Sequence, residues 1–133
     1  MFRLDKRKIF LLYQYYLLGR IQEIEAESEK EKSRIIWFNK CCEKEKFLRE
    51  KIAKKLKIGW EFSHLPPLER AILIYATYEL LVRKNANLYR MIIDQTINFS
   101  KSYLENGKYK YINKILDLLS KEEDFSVKMI EQN

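Results

Sequence analysis

An all-α fold is predicted by three observations. Three glycines and two prolines are too few to turn many short strands, and apolar residues recur along the chain at helical rather than alternating spacing. The balance of 47% apolar to 34% charged residues belongs to a folded amphipathic domain and excludes both a disordered tail and a membrane protein. The 133 residues fit one domain, 1–133, long enough to bury a core without metal or disulfide.

The first helix is expected from about Leu4 to Glu25 with a possible break at Gly19, because 9, 12, 13, 16 and 17 share a face and Asp5 suits the positive end of the helix dipole. Residues 22 to 34 alternate acids and bases and read as a solvated helix or polar connection, with no function attached. Helical pattern then runs from Ile35-Ile36-Trp37-Phe38 through Phe47, Leu48, Ile52, Ala53 and Leu56 to Ile58, with Gly59 placed as a C-terminal cap. Ser63 is available to cap the next helix and Pro67 suits its first position. In that helix apolar residues recur at 68, 71, 72, 75, 76 and 80, with a second row at 73, 77 and 81, so it is buried on most sides. A fifth helix spans about Asn87 to Asn106, where 89, 92, 93, 96, 97, 100, 103 and 104 form an amphipathic face, and ends at Gly107. A sixth starts near Lys108, with Tyr111 or Ile112, Ile115, Leu116 and Leu119 inward and Lys110, Lys114, Asp117 and Lys121 outward. A short last helix is expected around Val127 to Ile130.

The formal charge of +7 is unevenly placed: residues 1 to 21 carry +4 and 101 to 114 carry +3, whereas 58 to 100 sum to zero and 115 to 133 to −3. A localised positive field steers polyanions to one surface, although a lysine-rich solvated face is also common. Adjacent Cys41 and Cys42 fit neither a metal pair nor a disulfide framework and read as reduced packing residues of a cytoplasmic protein. Residues 1–21 imitate a secretory signal, but Gln14 and three tyrosines dilute the apolar run and no small-residue cleavage site follows. No stretch reaches the roughly 18 apolar residues that cross a bilayer.

Enzymatic chemistry finds little footing. There is no glycine-rich phosphate loop, no Ser-His-Asp arrangement and no cluster with metal-ligand spacing, so no catalytic residue, metal or cofactor is expected. The sole histidine, His64, falls in a loop and suits a helix-start or surface role. The pattern with binding chemistry is basic residues interleaved with aromatics. One cluster is Arg3, Lys6, Arg7 and Lys8; the other is Lys108, Lys110, Tyr111, Asn113 and Lys114. Single-stranded RNA is held by cations on phosphates and rings stacked on unpaired bases, with an amide able to read a base edge. The competing reading makes Tyr109 and Tyr111 core residues on a helix that lysines merely solubilise.

Four stretches are similar to the NusB family of transcription antitermination factors, over most of the chain from Arg7 to Leu119. Arg7-Lys8-Ile9-Phe10-Leu11-Leu12-Tyr13-Gln14 resembles the family's basic opening helix with its Leu-Tyr. Trp60 through Leu81 resembles its Trp-x-x-x-Arg-Leu, Glu-Arg-Ala-Ile-Leu-Arg and Tyr-Glu-Leu pattern. Ile93-Asp94-Gln95-Thr96 stands where the family has Ile-Asn-Glu-Ala, and Lys110-Tyr111-Ile112-Asn113-Lys114-Ile115-Leu116-Asp117 where it has Lys-Phe-Val-Asn-Gly-Val-Leu-Asp.

The resemblance implies a compact bundle of about six to seven helices in two packed sub-bundles, acting in antitermination on ribosomal RNA operons. It implies binding of single-stranded boxA-type RNA together with a ribosomal protein of the small subunit, NusE, within the RNA polymerase antitermination complex. Carried over by position, Arg3, Lys6, Arg7, Lys8 and Lys110 would hold phosphates, Tyr111 would be the stacking ring, and Tyr13 and Glu69 would face the protein partner. Here His64 stands for the family's arginine, Ile74 for another, and Lys114 for a glycine, where it either adds a phosphate contact or blocks close approach. The chain is expected as a monomer or homodimer. The alternatives are a diverged NusB-like interaction scaffold, or an RNA-modification accessory domain without sequence specificity; with no second domain in these residues, methyltransferase activity is not expected. The RNA reading requires the two basic ends to converge on one exposed groove.

Overall fold

A computed structural model describes residues 1–19, 28–83 and 85–122, with backbone alone at 86. Among these residues lie six α-helices, α1 (Lys6–Leu18), α2 (Glu29–Glu43), α3 (Glu45–Ala53), α4 (Pro67–Val82), α5 (Ala86–Tyr103) and α6 (Tyr109–Ser120), and one 3₁₀ turn, Phe62–His64. The expected helix at Val127 to Ile130 lies outside the described residues.

α1 starts where Asp5, in extended conformation, accepts the Arg7 N–H, and stops at Gly19, whose φ of 76° is a left-handed cap that only glycine adopts without strain. The expected extension to Glu25 therefore breaks at Gly19, and residues 20–27 are not described. Ser28 caps α2 through the Glu31 N–H. The long helix expected from Ile35 to Ile58 is instead α2 and α3, separated at Lys44, whose N–H turns back onto the Cys41 carbonyl. α3 ends at Ala53, and Gly59, with φ of 91°, turns the chain beyond it rather than capping it. Ser63 does not cap α4. Pro66 occupies the cap position with fixed φ, and Pro67 at the first helical position has no N–H to satisfy.

α4 is the axis of the molecule. Ala71 through Leu81 are all buried, which explains an apolar pattern that wraps the helix rather than striping it. α1, α2 and α3 form one sub-bundle and α5 and α6 the other, with α4 packed against α1, α3, α5 and α6. The core takes Ile9 and Leu12 from α1, Leu48 and Ile52 from α3, Ile92 from α5, and Ile112, Ile115, Leu116 and Leu119 from α6.

Two polar nodes cross this core. Glu79, almost fully buried, accepts the Trp37 indole N–H at 3.1 Å on one oxygen and the Arg83 Nε at 3.0 Å on the other, so its charge is paired on both sides. Glu122, just past α6, takes Lys51 at 2.6 Å and Lys55 at 2.8 Å and ties α6 to α3. Burial works to raise the Glu122 carboxyl, but hydrogen bonds and charge from the two lysines outweigh it and leave its pKa lowered. Cys41 is a buried free thiol and Cys42 a half-buried one; burial pushes Cys42 up to about 11 and Cys41 further, so both are protonated packing groups.

Candidate nucleic-acid interface

α1 runs antiparallel to α4. The Asp5 N–H donates to the Tyr75 hydroxyl at 3.0 Å near the latter half of α4, while Tyr16 lies under the Arg70 guanidinium, 4.9 Å from the ring centroid, near its beginning. The basic opening of α1 is therefore fixed beside the end of α4. Gln95 of α5 secures the chain just before it, accepting the Leu4 N–H at 2.7 Å and donating to the Phe2 carbonyl at 3.0 Å. With Phe2 buried on one side and Leu4 held on the other, Arg3 projects into solvent. Arg3, Lys6 and Arg7 are exposed, and Lys8 is half-buried with its ammonium over the Trp37 ring at 5.0 Å.

The second cluster lies at the other end of α4. Tyr111, in the first turn of α6, is half-buried and donates its phenol O–H to Glu69 Oε1 at 2.6 Å, while Trp60 meets its ring edge-on at 5.5 Å. Burial, then the hydrogen bond and charge of Glu69, push the phenol well above its usual range, so it stays a donor. Lys108, Lys110, Asn113 and Lys114 are exposed around it. Lys108 lines a shallow cavity of about 250 Å³ with Trp60, His64 and Glu69. His64 is itself exposed, 3.6 Å from Glu61. The ring at 111 is thus neither free nor enclosed by aliphatic side chains.

The last turns of α5 lie between the two clusters. Phe99 stacks on Tyr103 with centroids 4.4 Å apart, and Phe10 of α1 packs on both. Phe99 also lines the depression that holds Arg3, Lys6 and Arg7. On another face of α5, the Lys101 ammonium lies over the Tyr109 ring at 4.8 Å. Tyr103, placed by its spacing on the apolar side of α5, is 47% exposed. Sequence reasoning missed it, and Lys101 with it, because spacing assigns a face but not whether a neighbour covers the face's end. Phe99 and Tyr103 thus border the first cluster and Lys101 the second, on different faces of α5, and the expected convergence on one groove is not seen: Arg3, Lys6 and Arg7 line one depression and Lys108 another.

The residues expected to face a protein partner sit near the start of α4. Tyr13 is half-buried one turn before Tyr16, and Glu69 is only 4% exposed. Among the described residues no three His, Cys, Asp or Glu side chains gather as metal ligands, and no helix is long and apolar enough to cross a membrane.

Fold and charge together define an all-α domain with two basic, aromatic-bearing ends. The chain belongs to the NusB family, whose profile matches residues 9–121. It is similar to proteins named transcription antitermination protein NusB from Burkholderia mallei, Burkholderia pseudomallei and Burkholderia thailandensis, each 41% identical over 56 residues. That stretch covers 42% of this chain and spans 38% of the length of each of these curated relatives. No solved structure matches the chain.

Proposed function

We propose that this protein is a cytoplasmic transcription antitermination factor that acts by binding rather than catalysis. It holds single-stranded boxA-like RNA together with a ribosomal protein of the small subunit, NusE, and so keeps nascent ribosomal RNA near the polymerase. Arg3, Lys6, Arg7, Lys8, Lys108, Lys110 and Lys114 engage phosphates, Tyr111 offers its ring to a base and Asn113 an amide to a base edge. Tyr13 and Glu69 belong to the partner side.

The observation that carries this reading is the state of the α1 opening. Among the described residues no acid pairs with Arg3, Lys6 or Arg7, since Asp5 spends its oxygens on the Arg7 N–H and on Arg34. Membership of the NusB family and the names of its relatives support the same reading.

A titration of a boxA-like strand and a scrambled strand at two salt concentrations tests it. Seven phosphate contacts to a single strand give log affinity a slope of about −5 against log salt. The boxA-like strand is expected to bind tighter, with a slope of that order for both. Affinity that hardly changes with salt, or equal weak binding of both strands, leaves a protein-interaction scaffold instead.

A further inference from the structure

The first turns of α2, an acid-base stretch without evident purpose in the sequence, fold against the basic opening of α1. Lys30 and Arg34 join Arg3, Lys6 and Arg7 around a depression of about 560 Å³. Arg34 is held there by Asp5 at 2.8 Å, whereas Lys30 is exposed and pairs with no acid among the described residues. The neighbouring Glu29 is turned to Lys32 at 3.3 Å. A second cavity of about 350 Å³ opens directly beside the depression, between α1 and α2, sharing Lys6, Arg7 and Arg34 with it. Its walls include half-buried Phe10, Leu11 and Ile35, and Gln14 and the acid Glu31 complete the lining.

We propose that this groove between α1 and α2 is a nucleotide subsite that carries the RNA path past the opening of α1. One unstacked base enters between Phe10, Leu11 and Ile35, and its flanking phosphates lie against Lys6, Arg7 and Lys30. The inference rests on the RNA-binding reading above and adds to it a stretch of strand and a set of α2 residues. Two features select this occupant. An apolar slot whose rim carries three cations to one acid matches a flat base between anionic phosphates. A second copy of this chain would instead bring its own +7 charge against the same cations.

The test compares a core boxA-like strand with the same strand lengthened by three uridines at its 5′ end or its 3′ end. Fluorescence anisotropy is read for the wild type, Lys30→Glu and Ile35→Ala. Affinity is expressed as the ratio of lengthened to core strand within each protein, so a general change of charge cancels. One of the two lengthened strands is expected to bind the wild type about tenfold tighter, the gain one stacked base can bring. That ratio falls toward one in both variants. A 2-aminopurine placed in the extension is expected to change fluorescence on binding wild type but not Ile35→Ala, a readout of base insertion that lost charge alone would not move.

If the core strand binds and neither extension adds affinity, the subsite is refuted and the RNA reading stands. Failure of the core strand to bind refutes both. A gain that survives in both variants sends the strand elsewhere and also refutes the subsite. So does sedimentation in which Ile35→Ala changes only the dimer population, which makes a second copy the occupant.

Discussion

The Tyr111 hydroxyl and Glu69 Oε1, 42 residues apart in the chain, are joined by a 2.6 Å hydrogen bond that locks the first turn of α6 to the first turn of α4. The side chain expected to stack on RNA and the one expected to face the protein partner are thus one bonded pair. Tyr111→Phe leaves a carboxylate that is 4% exposed without its donor, and is expected to cost about 1 to 3 kcal/mol in urea unfolding while keeping the ring. Tyr111→Ala removes the ring as well, and should weaken boxA-like RNA binding more than Lys114→Ala does, by the 1 to 3 kcal/mol of about one stacked base. Equal small losses in the two alanine variants would assign Tyr111 to the core alone.

Burial at position 69 decides how the partner surface is tested. Reversing the charge with Glu69→Lys would place an ammonium in a nearly closed site and confound folding with binding. Glu69→Gln keeps an acceptor for Tyr111 and removes only the charge. Association with the ribosomal protein, followed by calorimetry, is expected to weaken about fivefold, an effect of roughly 1 kcal/mol, with RNA binding by the isolated protein retained. Unchanged association removes Glu69 from that surface.

Gln95 is a positioning residue for Arg3, because its amide accepts from Leu4 and donates to Phe2. In Gln95→Glu the acceptor survives, but a carboxylate replaces the donor and faces the Phe2 carbonyl. Faster amide exchange at residues 2 to 5 and a loss of about threefold in RNA affinity are expected, the latter reflecting the weaker restraint of one neutral hydrogen bond. Normal exchange with normal affinity would refute the clamp.

The lowered pKa of Glu122 gives an acid-side signature. A carboxyl whose folded pKa is depressed contributes stability above its unfolded value, and that contribution disappears as pH falls through the folded value. Glu122→Gln should destabilise the wild type at pH 7 by about 1.5 to 3 kcal/mol, the range for hydrogen bonds to charged groups. The difference should shrink below about pH 4. A pH-independent difference would show that the lysines draw nothing from the charge.

The alkaline side has the opposite sign. Thiols and phenols held above their usual range by burial, Cys41, Cys42, Tyr16, Tyr75 and Tyr111, keep their protons in the folded state. Their contribution is complete below the unfolded values, near pH 9 for thiols and 10 for phenols, and is lost as pH rises through the folded ones. Urea midpoints should be level up to about pH 8.5 and fall above it, and native-state alkylation of both cysteines should be slow at pH 8. A midpoint that rises between pH 9 and 10.5 would contradict the burial of these groups.

Where local chemistry decides structure, the sequence could be read directly. Gly19 marks the end of α1, Pro67 the start of α4, and the double apolar row of α4 its central place. The break at Lys44 was hidden because Phe38, Cys41, Leu48 and Ile52 keep helical spacing across it, so periodicity sees one helix where the chain makes two. The basic clusters were visible as composition. Their relation was not, since it depends on Phe10 meeting Phe99 and Tyr103, and on Lys30 and Arg34 folding over α1, contacts between segments far apart in sequence. The pairing of Tyr111 with Glu69 was equally out of reach, because each residue taken alone has a sufficient reason to be where it is.

α4 has neighbours on nearly every side, and from Ala71 to Leu81 every residue is buried. Its backbone amides therefore have no route to bulk water short of disassembling the whole bundle, and they should be the slowest of the chain to trade hydrogen for deuterium. The same enclosure narrows what mutation can do there, since a neutral replacement must match volume against two layers at once. Evolutionary drift in a protein built this way is pushed outward, onto the helices that surround α4.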